Sequence, residues 1–466
     1  MAIILNQNLF SWDELDAESD LYRMQLVLNN LSDEELMRTL ETKRGHGRDT
    51  YPVRPMWNAL IAGIVFQHDT IESLRRELQR NAELRQVCGF NPILGLIAVP
   101  PPCAMSRFVA NVIDQKDQVE EMFNSLVAKV TEILPDFGKH LAFDGKAIPS
   151  FSTGRTSKKT GKTSDPDAAW GKKTYTGVGK DGKPWAKVKS WFGFQLHLIV
   201  DATYELPVAF EIMDASASET TRLVPMIEKL SHDQPPIVEN ATDLSADRGL
   251  DSAHNCKVLW DDFNIKPVID NRQMWSDEKN EQGYDPSKPI TRQLHPDTND
   301  NIVYTERGCV QCVCPVSGTI AKMQFMGFEA DRDALKFRCP AAAYGFVCLG
   351  RCECEQAALG RPTDFGRIVR VNLDSVDRRI FTPIPRDTPL WKRIYATRSS
   401  VERFNARIDQ GLRFENHTIR GLAKMQTRMG LALVVSLAMA VGFISQGKPE
   451  FMRSLVGSPR DKARAA

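Results

Sequence analysis

The chain has 466 residues, 42% hydrophobic and 26% charged, a composition that excludes global disorder and a length that suits two or three domains. Lys and Arg total 60 against 59 Asp and Glu, so the net charge of +1 carries no polyanion signature, and any DNA surface must come from local segregation of charge. Residues 1–10 are briefly apolar but hold Asn6 and Asn8 and lack a basic leader, so no export is expected and the cytoplasm is the expected compartment.

Up to about Pro135 the apolar spacing is helical. Pro55 suits the first turn of a helix over 56–66, and Asp69 with Glu72 reads as a capping box for a second helix carrying Ile71, Leu74 and Leu78. Asp117 with Glu120 reads as another box. It would open a helix whose apolar face is Val119, Met122, Phe123, Leu126, Val130 and Ile133, and Pro135 would close that helix. Arg44, Arg48, Arg54, Arg75, Arg76, Arg80, Arg85 and Arg107 stud this all-α part, either as a solvated surface or as a grip on phosphate.

At His140 the period changes. Residues 140–143 read as a strand ending in Asp144, Gly145 and Lys146; 190–200 and 206–213 read as two strands around a hairpin turn at 201–205. A helix over 218–230, a strand near 241–246, a helix over 251–263 and a fifth strand over 265–269 complete a mixed α/β sheet domain. Residues 154–189 hold ten basic and three acidic residues with Trp170, Tyr175 and Trp185 interleaved. This stretch reads as a solvated loop or as an arm that follows a DNA backbone and stacks on an exposed base. Residues 271–389 are rich in Pro, Gly, Asp and Cys with little periodicity beyond short strands at 302–305 and 368–371, and read as an insertion. Helix resumes near Leu390. The apolar run 429–444 is shorter than the ~20 residues of a membrane span, which points to a buried helix and no membrane partner. Lys448, Arg453, Arg460, Lys462 and Arg464 make a basic tail.

Phosphodiester chemistry at neutral pH is served by two hard cations held by carboxylates on rigid mounts. Asp144 ends a strand, Asp247 follows another at a turn containing Gly249, and Glu402 lies on a helical stretch with Val401 and Phe404 as packing neighbours. Singly, each has a bland reading: Asp144 as a turn residue, Asp247 as a helix N-cap, Glu402 as a surface ion-pair partner.

Together these texts resemble the DDE transposases of bacterial insertion sequences. Leu141 to Lys146 resembles the first-acid motif and Ala246 to Ser252 the second. Tyr395, Arg398 and Glu402, followed by Arg403, Phe404 and Asn405, resemble the third and most specific one. The stretch from Tyr51 to Phe90 resembles the helical region that precedes the catalytic domain in this group. The resemblance implies an RNase H-like catalytic domain with a mixed five-stranded sheet over 139–270 and 390–446. That domain would be interrupted by the Cys-rich insertion 271–389, preceded by an all-α DNA-binding and dimerisation domain over 1–138, and followed by the tail 447–466. It also implies Asp144, Asp247 and Glu402 as ligands of two Mg2+ or Mn2+ ions. Tyr395, Arg398, Arg407, Arg248, Lys146, Lys172 and Lys173 are the expected DNA contacts. The expected partners are terminal inverted repeats, target DNA and a second copy in a homodimer. The group's Lys seven residues after the Glu is Asp409 here, and Arg407 or Arg413 is expected to supply the missing charge. A nuclease without strand transfer and a decayed DNA-binding relative are the alternatives.

Seven of the ten cysteines lie between Cys309 and Cys354, a crowding that suits a structural zinc site better than disulfides. Cys312, Cys339, Cys348 and Cys354 are the four chosen, with reduced structural thiols as the alternative.

Overall fold

Apolar residues at helical spacing fold the described residues of the first part of the chain, in the computed structural model of the protein, into seven α-helices. They are α1 (Asp20–Asn30), α2 (Glu34–Arg44), α3 (Val53–Val65), α4 (Ile71–Arg80), α5 (Ala82–Cys88), α6 (Pro102–Ile113) and α7 (Lys116–Ile133). The structure describes residues 19–46, 50–157, 161–178, 183–272, 274–275, 290–298 and 300–456. The leader region 1–10, Arg48 and the tail cations Arg460, Lys462 and Arg464 lie outside the described residues, and the side chain of Tyr175 is not described.

Two helix starts differ from the sequence reading. The capping box of α4 is made by Thr70 and Ser73 in place of Asp69 and Glu72, because Thr70 is the N-cap and its hydroxyl accepts from the Ser73 N–H at 3.1 Å. α7 begins at Lys116 after Gln115, which gives no side-chain cap, so Asp117 falls inside the first turn and its box with Glu120 does not form. The apolar face of α7 is buried as expected, apart from Ile133, which is exposed.

The main sheet contains β1 (His140–Pro149), β2 (Ala169–Val178), β3 (Pro184–Asp201), β4 (Pro207–Asp214), β5 (Asp243–Ala246) and β6 (Lys266–Ile269). It has six strands, one more than expected, in the order β2-β3-β1-β5-β6, with β4 also on β3. The extra strand is β2. Residues 184–193 of β3 pair with it, while residues 194–200 pair with β4 along the same edge. β1 is antiparallel to β3 and parallel to β5, and β5 is parallel to β6. The basic stretch after Asp144 is therefore largely an antiparallel ribbon, with Trp170 and Trp185 exposed on it. The turn between β3 and β4 is closed by Asp201, whose carboxylate accepts from the N–H groups of Gly138, Thr203 and Tyr204.

After β4 come α8 (Glu219–Asp233), the short α9 (Pro235–Asn240) and α10 (Ala253–Asp261). The helix Leu422–Ser445 is long and apolar enough to cross a membrane, but it is buried inside the fold, where it packs on α1, α3, α7 and β4. One apolar cluster therefore runs from Met24 to Leu455 and joins the N-terminal helices to the sheet.

The segment between β6 and the helix Pro389–Ala396 has a separate core around Trp275, Ile302, Leu335, Phe337, Val371 and Phe381. Two small sheets build it. One holds β7 (Thr291–Gln293), β8 (Ile302–Thr305), β9 (Val310–Val313) and β10 (Ile320–Lys322); the other holds β11 (Gln324–Glu329), β12 (Ala334–Arg338) and β13 (Ile368–Asn372). Strands of three to six residues are too short to display a period, which explains how little of this order the sequence shows.

Candidate active site

The register of the sheet brings the first two acids together. Phe143 on β1 is paired with Ala246 on β5, the last pair of that parallel ladder, so Asp144 and Asp247 are the next residues on two adjacent strands. β1 continues to Pro149 against β3, so Asp144 sits within a strand rather than at its end, opposite Leu198. A strand paired on one side only at this point holds its side chain firmly and still leaves it open on the other. Asp247 leaves β5 and caps the short 3-10 turn Arg248–Leu250, its Oδ1 accepting from the Gly249 N–H at 2.7 Å. The capping role and the site role thus fall on the same carboxylate.

Glu219, the first residue of α8, lies between these acids and was not singled out in the sequence. A Cβ on Gly145 would stand 2.4 Å from Glu219 Oε1, and one on Gly249 would stand 3.5 Å from its Oε2. Gly145 is thus required by the close passage of the Glu219 carboxylate. Gln195 donates to Glu219 Oε1 at 2.5 Å, and Lys173 Nζ lies 2.8 Å from the same oxygen. An acidic residue at a helix N-terminus is expected on dipole grounds alone, so nothing local marks Glu219 out.

Burial pushes the Asp144 carboxyl up to about 6; the nearby Lys173 opposes the shift, while Glu219 and Asp247 add to it. Negative charge is in surplus here.

The third acid is mounted on the helix Ser399–Gly411, which packs on β1 and β3 and buries Val401, Phe404 and Ile408. Glu402 is about half exposed and pairs with Arg398 at 2.8 Å, one turn earlier. Arg398 also feels the charge of Asp144, and its guanidinium stands 5.9 Å from the ring centre of Tyr395. Tyr395 stacks on Trp391 at 4.6 Å, and burial, followed by the charges of Asp270 and Asp247, pushes its phenol up. Tyr395 and Arg398 therefore lie within electrostatic reach of the two aspartates, while Glu402 is turned to its own arginine.

The expected DNA contacts divide. Arg248 and Lys172 are exposed. Arg407 is occupied, because it pairs with the buried Glu205 and donates to the Glu205 carbonyl at 2.7 Å. Lys146 is occupied too, by Asp409 at 2.5 Å and Glu415 at 2.8 Å. The Asp409 that departs from the family pattern is thus matched by a lysine from β1; Arg407 does not serve it, and Arg413 is exposed. Lys173 points into the acid cluster. In the N-terminal helices Arg44, Arg54, Arg75, Arg76 and Arg80 are paired with acids and Arg85 is buried, while Arg107 is exposed.

Cys312 lies within electrostatic reach of Cys339, Cys348 and Cys354, and all ten cysteines are free thiols. Cys314 also joins them: it is hydrogen-bonded to Cys348, and its Sγ accepts from the Ser317 N–H at 3.4 Å. A cavity of about 830 Å3 lies away from the acids, among α3, α4, α6 and residues 418–431; its apolar walls offer the acids nothing. Among the described residues, no three His, Cys, Asp or Glu side chains enclose a metal position as they stand. The donor chemistry at Asp144 nonetheless suits a hard cation, since a carboxylate raised by burial and like charge is relieved by a divalent ion.

A mixed sheet thus sets two carboxylates abreast on adjacent parallel strands, and a late helix packed on the same sheet carries a third acid, paired with its own arginine. The chain belongs to the family of the transposase DDE domain, whose model matches residues 135–438, nearly two thirds of the sequence. Its activity is accordingly that of a transposase, with DNA as the substrate class. No curated protein matches the sequence.

Proposed function

We propose that this transposase cuts at the terminal inverted repeats of a bacterial insertion sequence and joins the freed 3′ ends to target DNA, using Asp144, Asp247 and Glu402 as the ligands of two Mg2+ or Mn2+ ions. The observation that carries the reading is the pairing of Phe143 with Ala246, which sets Asp144 and Asp247 side by side. Such ions, when bound, lower the pKa of an attacking oxygen and stabilise the leaving one. Asp144 and Asp247 hold their positions through the sheet. Glu402 turns from Arg398 to complete the set, which frees the guanidinium for a DNA phosphate. Tyr395, fixed by its stacking on Trp391, positions that phosphate. Arg248, Lys172 and the exposed Trp170 and Trp185 line the path of the strand along the β2–β3 ribbon, and the helices before residue 138 bind the repeat and assist dimer formation in the cytoplasm.

The test is cleavage of a labelled duplex carrying the flanking repeat, with and without Mg2+, by wild type and Glu402→Gln. Cutting by wild type alone supports the reading; equal cutting by the variant would sink the role of Glu402. A strand-transfer assay separates the transposase from a nuclease that only cuts.

The cysteine-rich segment is read as an insertion in the RNase H-like domain, held by a structural zinc at Cys312, Cys339, Cys348 and Cys354. The electrostatic proximity of these thiols, drawn from three separate stretches of chain, supports that reading. Elemental analysis of the purified protein would show about one zinc per chain, lowered in Cys354→Ser; a zinc-free folded protein would refute it.

A further inference from the structure

The acid cluster contains a cation of its own. Lys173 comes from β2, the strand beyond the expected five, while its neighbour Lys172 is exposed on the other side of the ribbon. Its Nζ lies 2.8 Å from Glu219 Oε1 and 3.1 Å from the carbonyl oxygen of Gly145, the residue next to Asp144. Both Asp144 and Asp247 act on it electrostatically. Glu219 is itself held by Gln195 on β3, and the missing side chain of Gly145 leaves room for its carboxylate. One ammonium thus faces three carboxylates, Asp144, Asp247 and Glu219, while Arg398, the other cation near Asp144, is tied to Glu402.

We infer that Lys173, held by Glu219, is a resident counter-ion that competes with divalent metal for the Asp144–Asp247 pair, and that Glu219 is a positioning residue acting through Lys173. The inference rests on the metal-binding reading proposed above. An ammonium on this spot lowers the repulsion between the aspartates in the absence of metal, and it must give up that contact when a divalent ion arrives. Because β2 belongs to the basic ribbon, DNA lying along that ribbon would draw on the same strand that carries Lys173, so metal loading and DNA binding are coupled through one side chain.

The experiment is direct binding of Mn2+ to the full-length protein without DNA, followed by the free-ion signal in electron paramagnetic resonance. Wild type, Lys173→Met, Glu219→Gln, the double variant and Asp144→Asn are compared, with Lys173→Gln used in place of the methionine variant if that variant does not fold. Removing the competing charge should tighten Mn2+ binding by about fivefold or more. Glu219→Gln should weaken it, because an ammonium no longer shared with Glu219 settles more fully on the aspartates, and that loss should disappear when Lys173 is already methionine. Unchanged or weaker binding in Lys173→Met, with Asp144→Asn still defective, would overturn the counter-ion and leave the metal reading standing. A loss from Glu219→Gln that persists in the double variant would make Glu219 a ligand instead and overturn its positioning role. Mn2+ binding absent from wild type and Lys173→Met alike would overturn both readings together.

Discussion

Two charge clusters on β3 and its neighbours are mirror images, and their difference separates structural from functional electrostatics. At one, the buried Glu205 faces three guanidiniums, those of Arg403, Arg407 and Arg453. At the other, Asp144, Asp247 and Glu219 face one ammonium. Burial opposes ionisation at both. For Glu205 the hydrogen bonds from Arg407 and Arg403 outweigh it, and the carboxyl is held below its ordinary range. For Asp144 the Gly145 N–H is the one such donor among the described residues, and the carboxyl rises to about 6. An acid surrounded by donors is satisfied as a structural element; an acid surrounded by acids keeps an unmet attraction for positive charge.

Neutralising the acid pair should break the comparison most sharply. Asp144→Asn is expected to abolish cleavage and, by removing buried repulsion, to raise thermal stability by about 1–2 kcal/mol without metal; a loss of stability would mean that the carboxylate is structural after all. Glu205→Gln should do the opposite. Three guanidiniums left around an uncharged amide should cost about 1–3 kcal/mol in urea unfolding, since Arg403 and Arg453 are partly exposed and solvent screens them, with residual DNA cleavage by the molecules still folded. A cost below about 1 kcal/mol would show that solvent already screens the cluster.

Among the described residues a third buried group, His197, has neither a donor nor an acceptor against its ring nitrogens. Burial depresses its pKa to about 4, with Glu211 opposing and Arg222 and Lys173 reinforcing the shift. A histidine depressed in the folded state contributes stability that is intact above pH 6.5 and is lost as pH falls toward 4, worth about 3 kcal/mol in full. Asp144 works with the opposite sign over part of that window, since a raised carboxyl loses stability as pH rises. The measurement therefore belongs in the Asp144→Asn background, where His197→Leu should flatten the fall in urea midpoint between pH 7 and pH 4.5. An unchanged slope would place the proton elsewhere.

The acids at 144 and 247 were legible because each directly follows an apolar run of strand character, although the pairing that makes them neighbours is not written locally. Glu402 was legible as a residue but not as a geometry, since its pairing with Arg398 depends on rotamers. Lys146 and Arg407 looked like DNA contacts and proved to be occupied by Asp409, Glu415 and Glu205, partners about 200 residues or more away in the chain. The Asp117–Glu120 box failed by two residues of helix register, a difference no propensity resolves.

By itself the sequence determined the elements whose signals are short-range: the apolar faces of α3 and α7, the buried helix near the C-terminus, the strand-then-acid texts and the Tyr395, Arg398, Glu402 spacing. Tertiary structure alone decided which charges meet. It paired β1 with β5 in the register that sets Asp144 beside Asp247, folded the basic stretch into a ribbon that carries Lys173 inward, and slid Glu219 between two glycines. The physical reason is that backbone hydrogen bonding and side-chain periodicity act over a few residues, whereas an electrostatic partner is chosen by strand order and register, which exist only once the whole core has formed.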